Sequence, residues 1–253
     1  MEYAVKKGKN RNGDFMGNKE NVLSPLSDYS EETYGDIKEN AVENGRIIKE
    51  AFKGSFDIVV KKGYCNGKCV VFANCDGLCS AQRIADNAIK PILTFDGELP
   101  ADNPLDFIQD RIIYGTEQKR EKSLDKAMME ILRGALLIFV EGQKECIVFG
   151  VQNPPQRSLE EPDNEVQEFG AREGFVENIK TNLTLIRERL CTTNFKIEMN
   201  EIGKTSKTRV LLCYMKDRVN PDTLAEVKKR LKSVDIDTVL AAGYLRKTFD
   251  TKR

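Results

Sequence analysis

The chain has 253 residues, enough for one large domain or two small ones, each with its own core. Its 40 basic and 40 acidic residues cancel, which excludes a nucleic-acid binder built on a basic surface stripe. It contains no His, so the commonest general base and metal ligand is missing, and catalysis at neutral pH would rest on carboxylate, Lys, Tyr or Cys.

Residues 1–35 are rich in Asn, Gly, Ser and charge and hold few apolar anchors, so they read as a disordered tail. Lys6, Lys7, Lys9, Arg11 and Lys19 outweigh Glu2 and Asp14 there, and a solvated tail accounts for them. No apolar stretch follows Lys6 and Lys7, so no signal peptide is expected. The longest apolar run, Ala135–Val140, falls far short of the roughly 20 residues that span a bilayer. Seven Cys with no secretory signal ahead of them read as reduced thiols of a cytosolic compartment.

From Asp36 the pattern turns helical: Ile37, Ala41, Asn44, Ile48 and Ala51 or Phe52 recur at three- and four-residue steps up to Gly54. Residues 56–62 and 68–75 read as strands joined by a turn over 63–67. A helix is expected from Ser80 to Ile89, stopped before Pro91, and a short one over 105–113. Ser123 caps a helix carrying Leu124, Met128 and Ile131, which Gly134 ends. A hairpin over 135–140 and 146–151 follows, turned at Glu141-Gly142. Past Gly174, Val176, Ile179, Leu183, Ile186 and Leu190 trace one helix face. Then come a hairpin, 195–199 returning over 210–215, and a helix opened by Asn220-Pro221 with Leu224, Val227 and Leu231 inward. Helix, hairpin, helix thus occurs twice. The expected class is mixed α/β (α+β): two small α/β subdomains with mixed sheets, 36–151 and 152–253, after the tail.

Several motifs carry possible chemistry. Arg157, Glu161, Pro162 and Glu165 stand on a loop ahead of a sharp turn holding Gly170, Arg172, Glu173, Gly174 and Phe175. Arg and Glu across a Gly-punctuated turn suit a structural clamp or a subunit contact, since Arg engages carboxylates bidentately. An exposed loop with ion pairs of about 0–1 kcal/mol each is the plain alternative. Glu177 and Asn182 lie beside the apolar stripe of the next helix, where Asn182 suits a helix-fixing or partner-contact role. Cys65, Cys69, Cys75 and Cys79 invite a zinc site, but a strand over 70–74 would hold Cys69 and Cys75 roughly 20 Å apart. Small buried hydrophobes is the better reading. Gly203-Lys204-Thr205 lacks the upstream glycine of a phosphate loop, that position being Glu198, and joins two strands; it reads as a hairpin turn. Lys228-Lys229-Arg230 is a solvated helix face.

The segment Arg157-x-x-x-Glu161-Pro162-x-x-Glu165 and the following Gly170-Ala171-Arg172-Glu173-Gly174-Phe175-x-Glu177 stretch, ending at Asn182, resemble the A subunit of the GerA family of spore germinant receptors. Asp76-Gly77-Leu78, Ile202-Gly203-Lys204, Lys229-Arg230-Leu231 and Asp235-Ile236-Asp237 extend the likeness. Ala171 stands where that family has Pro and Thr238 where it has Gly, so the turn lacks the proline's rigidity. The resemblance implies a pair of α/β subdomains like those of substrate-binding proteins, on the cytoplasmic (spore core) side of the spore inner membrane. It implies B and C receptor subunits as partners, a homo-oligomer of A subunits, and membrane spans in a part of the protein beyond this chain. No cofactor, metal or nucleic-acid partner is expected. The function it implies is non-enzymatic: subunit assembly and signal transmission to a membrane channel during germination. The alternative is a nutrient-sensing domain with ligand in the cleft between subdomains; an enzyme using Asp, Glu or Cys has no motif behind it.

Overall fold

The computed structural model describes residues 33–152 and 174–239. Helix α1 (Ala41–Ala51) starts where Asn40 accepts a hydrogen bond from the Glu43 N–H, satisfying an orphan donor of the first turn. Strands β1 (Ile58–Cys65) and β2 (Lys68–Cys75) follow as a hairpin whose turn is only Asn66-Gly67, both at positive φ, the backbone that a two-residue turn between twisted strands requires. Gly63 therefore lies inside β1 rather than in the turn.

A helical stretch then runs through α2 (Ala81–Ile84), a π-helical segment (Ala85–Ile89) and α3 (Lys90–Thr94). Pro91 does not stop it, contrary to the sequence expectation. The proline has no N–H to give the carbonyl of Asn87 one turn back; the backbone N–H of Tyr114 bonds that carbonyl instead, at 3.0 Å. A wider π turn just before the proline also makes room for its ring. Helix α4 (Pro104–Phe107) passes into a second π segment (Ile108–Ile112).

Strand β3 (Gln118–Glu121), helix α5 (Leu124–Ile131), and strands β4 (Ala135–Val140) and β5 (Cys146–Gly150) complete a five-stranded sheet in the order β1-β2-β4-β5-β3. Strand β3 escapes a pattern reading because Gln-Lys-Arg-Glu is polar throughout, as suits a sheet edge that must not recruit other strands. Every ladder is antiparallel; short turns join β1 to β2 and β4 to β5, while β2 reaches its neighbour β4 only through the long connection that carries the α2–α5 helices and β3. All six residues of β4, at the sheet's centre, are buried.

Helices α1 and α5 pack one face of this sheet, with Ile48, Phe52, Met128 and Phe139 in the core. The α2–α4 region packs the other face through Ile84, Ile92, Leu105 and Ile108 against Phe72 and Phe149. Each fully buried side chain of this size contributes roughly 1.5–3 kcal/mol. Gly45 lets α1 lie close: a Cβ there would come within 2.9 Å of Val71 Cγ1.

The remaining elements are helix α6 (Ile179–Arg189), the hairpin β6 (Phe195–Ile202) and β7 (Thr208–Met215), and helix α7 (Pro221–Lys232), capped by Asn220. Gly203-Lys204-Thr205 lies in the β6–β7 loop, with Gly203 at φ +93°. The starts of α6, β6, β7 and α7 repeat those of α1, β1, β2 and α2 at an offset of about 140 positions. A Glu-Asn-x-x-x-Asn motif opens both halves, Glu39-Asn40 to Asn44 and Glu177-Asn178 to Asn182. Asn40 and Asn178 cap their helices. Asn44 and Asn182 each clamp the backbone six residues upstream through both amide atoms: Asn44 holds Lys38 at 2.8 and 2.7 Å, Asn182 holds Val176 at 2.7 and 2.7 Å.

Candidate functional site

Where α6 and β6 meet the chain between α1 and β1, the structure buries charge. Asp57 immediately precedes β1, and Arg187 sits on the last turns of α6; each side chain is 1% exposed. Arg187 Nε donates to Asp57 Oδ2 at 2.8 Å and its Nη2 to Oδ1 at 3.1 Å, the bidentate geometry that a guanidinium offers a carboxylate. The remaining fork atom, Nη1, donates to the carbonyls of Phe195 (3.1 Å) and Thr192 (3.4 Å), and the Phe195 ring lies 5.0 Å from the guanidinium carbon. Asp57 also accepts the Cys75 thiol at 3.4 Å. With its fork filled, the pair offsets a desolvation cost that an incomplete network would not.

The surrounding backbone closes the seam. Phe56 N–H donates to the Ile197 carbonyl (3.1 Å), Ile197 N–H to the Gly54 carbonyl (3.0 Å), and Ser55 Oγ to the Phe195 carbonyl (3.3 Å). Lys196, buried on β6, donates its Nζ to the Ala51 carbonyl at the C-terminal end of α1, where a cation complements the helix dipole. Lys180–Asp76 (3.1 Å) is an exposed outer pair of little energetic weight. This arrangement holds charge in place and offers no reactive group. Burial pushes the Cys75 thiol well up, with the Asp57 charge adding to it, and burial raises Cys79 to about 12, so neither is a nucleophile at neutral pH.

The second hairpin carries a smaller polar cluster. Glu198 accepts from Tyr214 Oη and from Lys228 Nζ (2.7 Å). Burial works to raise the Glu198 pKa, yet the bonds from Lys228 and Tyr214 outweigh it and hold the carboxyl below its ordinary value. Tyr214 is raised to about 12 by burial and then by Glu198. The cluster ties α7 to the hairpin.

A cavity of about 340 Å³ lies beside α5 and the β3–β5 edge, lined by Glu117, Lys119, Glu130, Arg133 and Gln152 among others. Glu130 bridges Lys119 (3.0 Å) and Arg133 (2.9 Å) on its wall. Among the described residues, no group of His, Cys, Asp and Glu side chains is arranged to hold a metal ion. Cys65, Cys75 and Cys79 are buried as free thiols and Cys69 is half-buried.

Of the residues singled out from sequence, Arg157, Glu161, Pro162, Glu165, Gly170, Arg172 and Glu173 lie outside the described residues. Gly174 is half-buried, Phe175 is 71% exposed, Glu177 is exposed, and Asn182 clamps Val176 as above. The expected apolar stripe of α6 is rotated: Leu183, Thr184, Leu185 and Arg187 are buried, while Leu190 is 37% exposed. The rotation brings Arg187 inward, which a hydrophobic pattern cannot register. A readable trace was Asp57 itself, an acidic residue inside an otherwise apolar strand-like run.

The sequence matches the family described as "Bacillus/Clostridium GerA spore germination protein" over residues 46–253. Among curated proteins of Bacillus subtilis it is 28% identical over 231 residues to "Uncharacterized membrane protein YfkQ" (91% of this chain, 45% of the relative). It is 29% identical over 219 residues to "Stage V sporulation protein AF" (86% and 44%) and 31% identical over 174 residues to "Spore germination protein KA" (69% and 32%). The chain thus spans less than half the length of these relatives. In fold it resembles the crystal structure of the N-terminal domain of the A subunit of the Bacillus megaterium spore germinant receptor GerK3, with a TM-score of 0.66 at 23% identity, covering 87% of this chain and 81% of that one. Among the described residues no helix is long and apolar enough to cross a membrane. The chain belongs to the Bacillus/Clostridium GerA spore germination protein family.

Proposed function

We propose that this chain is the extramembrane N-terminal region of a germinant-receptor A subunit, and that it assembles neighbouring subunits and relays a germination signal to a membrane channel. The observation that carries the reading is the family match over residues 46–253; the buried, fully hydrogen-bonded Asp57–Arg187 seam supports it by holding α6 and β6 to the start of β1. In this reading the two α/β subdomains, 36–151 and 152–253, act as linked halves. The segment holding Arg157, Glu161, Pro162, Glu165, Gly170, Arg172, Glu173, Gly174, Phe175 and Glu177 is their contact with other subunits. Exposed Phe175 supplies apolar area beside the charges. The partners are B and C receptor subunits and further A subunits, on the cytoplasmic face of the spore inner membrane, with no cofactor and no catalytic step.

The test is germination of spores carrying Arg172→Glu or Glu173→Lys in the full-length subunit, with the isolated domain checked for folding by circular dichroism. Loss of germination with an intact domain is expected; normal germination in both variants overturns the assembly role. A second reading, a nutrient-sensing domain, draws support from the cavity at Lys119, Glu130 and Arg133, which lies beside α5 and not in a cleft between the halves. Calorimetry of the domain against amino acids and sugars decides it: heat lost on Arg133→Ala supports sensing, and silence across the panel removes it.

A further inference from the structure

Helix α6 packs through two faces of different chemistry. Leu183 and Ile186 join its own hairpin, with Phe195, Ile197, Leu211 and Met215, in a cluster separate from those of the five-stranded sheet. About a quarter-turn round the helix stand Lys180, Thr184 and Arg187, at steps of four and three. This second face meets the turn after β2 and the residue before β1. Lys180 reaches Asp76, Thr184 Oγ1 stands 3.0 Å from where a Cβ of Gly77 would lie, and Arg187 holds Asp57. Just past the helix, Cys191 adds an apolar contact with the first core.

The rest of the junction is equally polar. Lys196 bonds the Ala51 carbonyl, Ser55 Oγ meets the Phe195 carbonyl, and Gly54 and Phe56 bond Ile197 through the backbone. Among the described residues six polar or charged side chains are buried, and five of them, Ser55, Asp57, Thr184, Arg187 and Lys196, lie on this junction. Both faces of the five-stranded sheet are filled instead with Ile, Leu, Val and Phe. A part that has its own apolar cluster and docks through polar groups has the character of a non-obligate interface, for which relative motion is the ordinary expectation. The energetics point the same way. Separation returns the Asp57 and Arg187 charges to water, and that hydration offsets most of what a buried ion pair gains. Opening an apolar core has no such return.

We propose that this junction is a latch: the part made of α6, β6, β7 and α7 undocks from the five-stranded sheet and redocks while both stay folded. A body that moves in this way without unfolding is what a relay needs. This bears on the relay reading and does not rest on it.

Two buried thiols report the two kinds of opening. Cys75 and Cys146 are both 0% exposed, but Cys75 donates to Asp57 at the latch and Cys146 lies on β5 within the sheet. The measurement is maleimide labelling of the folded 253-residue chain, read peptide by peptide by mass spectrometry, with Cys69→Ala, Cys191→Ala and Cys213→Ala removing the less buried thiols. Cys75 is expected to label at least about 100-fold faster than Cys146, at a rate that changes little in low urea, because undocking exposes less surface than unfolding does. Ile138→Val, at the centre of the sheet, should speed Cys146 about 5-fold and leave Cys75 unchanged, since undocking keeps that core intact. Arg187→Lys, which keeps the charge and loses the fork, should speed Cys75 at least about 10-fold. Equal rates for Cys75 and Cys146 in the parent chain overturn the proposal, as does a parallel rise of both in Ile138→Val. A Cys75 rate indifferent to Arg187→Lys also overturns it, because the thiol is then reached by fraying of β2 and not by release of the latch.

Discussion

Removing Arg187 is the sharpest perturbation of this structure. Arg187→Met keeps most of the side chain's length but deletes four donated hydrogen bonds, two of them to the Asp57 carboxylate. Asp57 would remain 1% exposed with the Cys75 thiol as its one remaining side-chain donor. Hydrogen bonds to a charged group contribute about 1.5–3 kcal/mol each, and leaving one member of a buried pair alone typically costs about 3–5 kcal/mol in all. The Phe195 carbonyl keeps Ser55 Oγ as a partner, so its share of the loss is small. We therefore expect Arg187→Met to destabilise the domain by about 4 kcal/mol, a large part of the ~5–15 kcal/mol that holds a typical domain together. Asp57→Ala/Arg187→Met removes both charges and should recover at least half of that loss. The measurement is a urea titration followed by far-ultraviolet circular dichroism, comparing parent, both single variants and the double variant. A cost below about 1 kcal/mol for Arg187→Met, or a double variant as unstable as the sum of the singles, refutes the account of a coupled buried pair.

Other expectations follow from particular contacts. Gly134→Ala should cost more than about 1 kcal/mol, because Gly134 sits at φ +84° and a Cβ there would come within 2.8 Å of the Leu78 carbonyl oxygen; an unchanged thermal midpoint contradicts this. Asn44→Ala should cost about 1–3 kcal/mol and Asn182→Ala less, since the two make the same pair of bonds but Asn44 is 1% exposed and Asn182 half-buried; the reverse order in a denaturant titration counts against the clamp. Burial keeps Cys79 protonated to about 12 in the fold against 9.0 for a free thiol, and it raises Cys146 and Cys75 in the same direction. The unfolded chain therefore loses these protons first, so stability is full below pH 9 and falls as pH climbs from 9 toward 12. A thermal midpoint that is flat to pH 10.5 would falsify that linkage. In the folded protein at pH 8, a maleimide should label exposed Cys213, whose thiol burial also raises, and leave buried Cys146 untouched; mass spectrometry of the labelled peptides gives the answer.

The sequence pattern located most elements because their apolar residues keep helix or strand period. The hairpin over β4 and β5, the capped helices α1, α5 and α7, and the doubled helix-hairpin-helix order were all readable. The failures have separate causes. Strand β3 is a polar edge, held by pairing with β5 rather than by burying a face. The stretch across Pro91 is helical because a residue distant in sequence bonds the freed carbonyl, a fact no local window contains. The Asp57–Arg187 seam was missed because nothing in the sequence pairs two residues 130 positions apart; only the fold brings them to 2.8 Å. The Asn182 clamp was partly legible, and its twin at Asn44, read only as one position on a helical face, shows the device is used in both halves.

The carbonyl of Asn87 has a further consequence, for the order of assembly. In an isolated peptide the stretch on either side of Pro91 would leave that oxygen to water, and the proline would break the helix. Only when the Tyr114 amide arrives does the continuation past Pro91 become stable, and Tyr114 is positioned by the helical turn that Ile108–Ile112 completes. The two helical stretches are therefore expected to open and close as one cooperative unit, neither preceding the other.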